Sequence, residues 1–292
     1  MRCLHHALLL LVVALGFSSG TVPPALAEPP PVFVTRWGGA GGPIEFSAIT
    51  GIAVGPDHNV SVADGGDHTR IVRFSPDGVF LREQSEFHTG WLAFDSTGRL
   101  FSVNSATVEL VGSGDWHPAG FTTISGMLIL PSDHILLSDG VNPILREYTP
   151  AGQIVRDWGP PGSGAGAITH TVLMMVGIPG GDVFVYPGVK RFSPSGEYVS
   201  TLELGIDIPM AASSTRIYAA RYNDLLVHVL TLDGQPLYTF GDENLHSISM
   251  IAVDGESIYV VDNFVYPRIF KFSYAPVAVT PATWSQVKTQ YK

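Results

Sequence analysis

Three histidines, His88, His170 and His246, combine a residue type and a spacing that suggest chemistry. Each lies four or five residues ahead of an apolar, β-prone segment, those at Leu92, Met174 and Ile251. Three imidazoles brought to one point make a zinc site with one open position, and zinc held that way lowers the pKa of bound water to about 7. Such a centre suits a lyase or a hydrolase. Held apart, the same rings would be solvated or bonded to their own turns, and spacing alone leaves both outcomes open. A second set closes β-prone segments at matching places: Asp64, Asn104, Asp139, Pro187, Arg221 and Asp262. These residues could form a polar collar gripping a ligand or cation. Alternatively, each aspartate caps its own turn by accepting backbone N–H groups, with Arg70 and Arg268 as ion-pair partners. Beyond residue 27 no serine sits in a G-x-S-x-G elbow, and the only cysteine is Cys3, so a thiol or elbow nucleophile is not expected. The Gly-rich run from Gly159 to Gly166 lacks the Gly-Lys-Ser/Thr ending of a phosphate loop and reads as a connection.

The elements that must position these groups repeat along the chain. Thr50–Val54, a turn at Gly55–Asn59 and Val60–Asp64 read as strand, turn, strand. Arg70–Phe74, the turn Ser75–Gly78 and Val79–Arg82 complete a four-stranded unit. Further copies begin at Trp91, Met127, Met174 and Ile251, and the most eroded is read from Arg216. From Ile52 to Ile251 five steps average about 40 residues, the length of a four-stranded propeller blade. The sixth copy stops at its third strand near Phe272, while an orphan strand, Val32–Gly38, precedes the first. That orphan resembles the fourth strands at Ile154–Gly159 and Leu237–Gly241. Open sheet edges invite aggregation, so the orphan is expected to close the ring on the last blade. The expected fold is all-β: a six-bladed β-propeller with four-stranded blades, spanning 28–273.

Composition agrees with that fold and excludes several functions. Charged residues make up 14% of the chain, whereas Gly (32) and Pro (22) are abundant, which argues against a coiled coil. Hydrophobic residues at 45% exclude disorder, and a net charge of −10 is the wrong sign for a nucleic-acid binder. Arg2, the apolar run Ala7–Phe17 and Ala25-Leu26-Ala27 read as a secretory signal peptide over 1–27. A secreted or periplasmic location follows, without a membrane span in the mature chain. Within the tail, 274–292, Trp284, Val287 and Tyr291 fall on one face of a short helix, which is expected to dock on the propeller or fray, a docking or sorting peptide being the alternative.

The first copy resembles the NHL-repeat family. The resemblance rests on Trp37-Gly38, Phe46, Gly51–Val54, Val60–Asp64, Arg70-Ile71 and Asp77-Gly78, and the sixth copy keeps Asp262 with Arg268-Ile269. Ile49, Gly55 and His68 depart from that family's usual proline, aspartate and asparagine. The resemblance implies a six-bladed propeller and a structural role for the Asp…Arg pairs. It also implies a range of jobs, from binding platforms and sensor ectodomains to lyases and hydrolases. The alternate-blade histidines look like the metal site of peptidyl-hydroxyglycine lyases, although the surrounding motifs differ.

The leading expectation is a monomeric secreted recognition module binding a protein, peptide or glycan through its loop face. Trp91, Asp139, Tyr186, Arg221, Tyr222, Asp262 and Phe264 are the candidate contacts. A zinc-dependent lyase or hydrolase using His88, His170 and His246 is the alternative.

Overall fold

The computed structural model describes residues 29–85, 90–159, 163–204, 208–221 and 224–274. The signal-peptide reading, His88, Tyr222 and all of the tail beyond Tyr274 lie outside the described residues. The described chain forms 24 strands in six antiparallel sheets of four, the expected propeller. Blade 1 comprises β2 (Ile49–Val54), β3 (Val60–Asp64), β4 (Arg70–Phe74) and β5 (Phe80–Ser85). Blade 2 holds β6 (Leu92–Phe94), β7 (Leu100–Val103), β8 (Val108–Leu110) and β9 (Gly114–Trp116), and blade 3 holds β10 (Ile124–Ile129), β11 (Ile135–Asp139), β12 (Leu145–Tyr148) and β13 (Ile154–Asp157). Blade 4 runs through β14 (Met174–Gly177), β15 (Val183–Tyr186), β16 (Lys190–Phe192) and β17 (Tyr198–Thr201). Blade 5 runs through β18 (Ile208–Ala212), β19 (Arg216–Arg221), β20 (Asp224–Thr231) and β21 (Pro236–Phe240).

Blade 6 is a composite. Its strands β22 (Ile248–Asp254), β23 (Ser257–Asp262) and β24 (Arg268–Ser273) are completed by β1 (Val32–Gly38) from the other end of the described chain. β1 pairs antiparallel with β24, Trp37 opposite Ile269 and Val32 opposite Ser273. Closure therefore occurs as the orphan strand predicts. One element differs from the sequence reading: the fifth unit starts at β18, not at Arg216. Pro209 hides that strand, because proline donates no ladder hydrogen bond. It is tolerated because β18 is the innermost edge of its sheet.

Burial follows position in the blade. The second strands β3 and β11 are buried at every residue, whereas the outer β5 is exposed at five of six. Adjacent blades pack face to face through six apolar clusters. Four of these interfaces carry an aromatic bolt, in which a ring at the end of one blade's outer strand sits on a third-strand ring of the next blade. The bolts are Trp37 on Phe74 (5.9 Å), Trp116 on Tyr148 (5.1 Å), Trp158 on Phe192 (5.9 Å) and Phe240 on Phe272 (4.9 Å). Between blades 4 and 5 the buried Leu202 and Leu230 substitute. Inner strands approach closely: a Cβ on Gly51 would lie 2.1 Å from the Gly90 carbonyl oxygen, so that position has room only for glycine.

Candidate functional site

Every inner strand begins on the face where its second strand ends, as when Ile49 pairs with Asp64 and Ile248 with Asp262. The loops leading into inner strands and those joining second to third strands thus share one mouth of the ring. The candidate collar lies there, and its acids are committed to the loops. Asp64, fully buried, accepts the N–H groups of Ser47 (2.9 Å) and Ala48 (3.1 Å) and the Nε–H of Arg70 (3.2 Å). Asp139 accepts from Thr122 (2.6 Å), Val141 (2.7 Å) and Asn142 (2.7 Å). Burial alone would push the Asp139 carboxyl up, but those N–H bonds outweigh it and hold it below the usual carboxylate range. Asp262 accepts from His246 (3.2 Å), Ser247 (3.0 Å), Phe264 (3.2 Å) and Arg268 (2.9 Å). Asn104 does a smaller version of the same job for Ala106 and Thr107, both at 2.9 Å. In blades 1, 3 and 6 the aspartates therefore tie the lead-in loop of the inner strand to the end of the second strand, and Asp139 and Asp262 cap their own turns as well.

The remaining candidates are placed differently from one another. Trp91 is half-buried against the cluster between blades 2 and 3, and Tyr186 against that between blades 4 and 5. Arg221 ends β19, half-buried at the same mouth. His170 is exposed, its Nδ1 2.9 Å from the Thr169 hydroxyl, beside a small recess with Pro187 and Lys190. His246 stacks on Phe264, ring centroids 5.5 Å apart at 13°, and its Nδ1 lies 3.0 Å from Arg268 Nη2. The same Nδ1 lies 3.4 Å from Asp262 Oδ2, so this nitrogen faces both a donor and an acceptor. Among the described residues no three His, Cys, Asp or Glu side chains are grouped as a metal would need.

What the mouth does present is apolar surface. Phe264, Val265 and Tyr266, joining β23 to β24, are 53%, 67% and 59% exposed. Val141, after Asp139, and Leu173, before β14, are exposed on the same face. The loop is held at both ends, by Asp262 taking the Phe264 N–H and by Pro267 accepting from Gly39 (3.0 Å). Only Phe264 of this trio had drawn notice in the sequence, as a loop aromatic.

The opposite mouth is formed by the turns between first and second strands. A cavity of about 460 Å³ opens there, walled by Leu128, Leu130, Ile178 and Pro179 with Asp133 and Asp254 at its edge. Those acids also join blades: Asp133 accepts from the Ser96 hydroxyl (2.6 Å), and Asp254 lies 2.8 Å from His58 Nδ1.

No family model matches the chain, and no curated protein does. Solved structures of similar fold include a virginiamycin B lyase from Staphylococcus aureus, with TM-score 0.55 and 12% identity, covering 79% of this chain and 97% of that one. A gluconolactonase from Xanthomonas campestris gives TM-score 0.56 and 13% identity, over 78% and 87% of the two chains. The β-propeller domain of Cps50 (Swd1) from Myceliophteria thermophila gives 0.54 and 10%, over 77% and 83%. At such identities the likeness extends to the fold alone. No helix among the described residues is long and apolar enough to cross a membrane.

Proposed function

We propose that this propeller is an exported recognition module that binds a protein or peptide segment through the mouth bearing Phe264, Val265 and Tyr266. One observation carries the reading. The acids of that mouth are engaged in holding loops, while three consecutive apolar residues on an anchored loop face solvent. Aromatic side chains enrich binding surfaces because they bury large area at small entropic cost, and a loop fixed at both ends loses little freedom on binding. Selection of a random peptide library on the wild-type protein, counter-selected on a Phe264→Ser/Val265→Ser/Tyr266→Ser variant, tests it. Enrichment of sequences that bind wild type and lose at least tenfold on the variant is expected. Binders that ignore the triple substitution, or a glycan array responding where peptides do not, would overturn it.

A second reading, a zinc-dependent lyase or hydrolase on His88, His170 and His246, draws support from His170. A Thr169 bond at Nδ1 leaves Nε2 for a metal, the usual arrangement behind a metal-bound imidazole. His246 argues the other way, since its Nδ1 is engaged by Arg268 and Asp262 and its ring stacks on Phe264. Zinc analysis of protein grown with the metal separates the two. About one zinc per chain, lost in His170→Ala, would favour the enzyme.

A further inference from the structure

The interface between blades 1 and 2 lacks the bolt found elsewhere. By register, Gln84 opposite Ile71 occupies the place held by Trp37 opposite Ile269, and Leu110 ends β8 where Phe74, Tyr148 and Phe192 end their third strands. The cluster there has four buried apolar residues, Ala53, Ala63, Ile71 and Leu92, against ten between blades 6 and 1. The space left is a cleft of about 310 Å³, lined by Gln84 and Leu110 together with Arg73, Arg82, Arg99 and Ser61. That volume is at the small end of small-molecule sites.

We propose that this cleft binds a small organic polycarboxylate. Arg73 and Arg82 stand directly opposite each other on β4 and β5, a like-charge pairing that Asp57 offsets on the Arg73 side alone. Arg73 bonds Asp57 and lies over the Phe94 ring, 5.6 Å from its centroid, and Arg99 bonds Asp95 at 2.6 Å. Arg82 has no acidic partner among the described residues. Ser61, 1% exposed, lines the same space. Guanidinium forks match carboxylate oxygens in pairs. Phe94, Leu100 and Leu110 offer a wall for carbon atoms, which favours an organic acid over an inorganic ion. Because the chain carries −10 overall, the site would act by local geometry, not by general attraction. This inference is independent of the loop-face reading.

Thermal melts of the full protein in citrate, inorganic phosphate or chloride at equal ionic strength test the proposal. Wild type is expected to gain about 5 °C in citrate at roughly a hundred times its Kd, with saturation. Arg82→Gln should lose most of that gain, yet melt in chloride no lower than wild type, because a like-charge pair has been relieved. Arg36→Gln, on β1, should respond as wild type does. Gln84→Trp, which refills the cleft, should abolish the response. An Arg82→Gln protein that keeps the citrate shift, or melts several degrees lower in chloride, overturns the proposal. Phosphate acting as strongly as citrate overturns the organic-acid assignment.

Discussion

The seam between blades 6 and 1 and the neighbouring interface between blades 1 and 2 share the four strands of blade 1 and are built on opposite plans. At the seam, Trp37 sits against Phe74 and Tyr259, with Phe46 packed on Phe74. Asn263 adds a two-point clamp there, accepting the Ile49 N–H and donating to the Ile49 carbonyl, both at 3.0 Å. Lys271 reaches across to Asp77 at 2.9 Å. One blade further on, the bolt is replaced by glutamine and leucine, and arginines line the gap. Strands from distant parts of the described chain meet inside blade 6, β1 on β24, and the seam packs that composite blade against blade 1. The interface between blades 1 and 2 carries a cleft instead. Tight packing is therefore concentrated beside the blade that closes the circle, and a binding space becomes available one blade further on.

Substitutions on the two sides should separate these plans. The largest effect is expected from Trp37→Ala, which removes a buried indole from the ten-residue cluster and should cost about 3–5 kcal/mol in urea unfolding. A loss below about 1 kcal/mol would mean that the seam is not tightly packed. Leu92→Ala, on the other interface, should cost about 2 kcal/mol, at the low end for a buried leucine, since the adjoining cleft lets the site relax and hydrate. Parity between the two would erase the contrast. Asn263→Ala leaves one N–H and one carbonyl of Ile49 without their partner and should cost about 1–2 kcal/mol, read from the same titration.

The smallest effect concerns pH. Burial would raise the Asp95 carboxyl, but hydrogen bonds from Thr97 and Arg99, and the Arg99 charge, outweigh it and hold the group below the usual range. A depressed carboxylate contributes stability above its unfolded value, about 3.9, and loses it as pH falls through the lower folded value. Asp95→Asn should therefore be less stable than wild type at pH 7, with the gap closing below about pH 4. The deficit stays modest because the Arg99 side chain is 46% exposed and can turn to water. A gap independent of pH would show that the carboxylate charge plays no part.

Much of the fold was legible because turns and period-two patterning are local. Ser75-Pro76-Asp77-Gly78 and its counterparts mark hairpins, and the likeness of Trp37-Gly38 to Trp158-Gly159 identified β1 as a displaced outer strand. β18 was missed because Pro209 argues against a strand unless its edge position is known. The site was less legible. Asp64, Asp139 and Asp262 look alike whether they bind a ligand or a loop, and only the convergence of N–H groups from some 15 to 17 residues upstream decides it. The role of Arg268 at His246 required the register that sets Asp262 against Arg268. The cleft was invisible, because Arg73, Arg82 and Gln84 read as the polar side of ordinary outer strands until the missing ring between two blades is seen.

Amide hydrogen exchange on the two outer strands β1 and β5, with and without citrate, tests the contrast most directly. Both are fourth strands, each bonded along one side to the third strand of its blade. β1 amides paired with β24 should exchange only through global unfolding and ignore citrate, while β5 amides open more readily and slow when citrate is added. Equal protection of the two strands, or a β1 that exchanges faster than β5, would contradict the account.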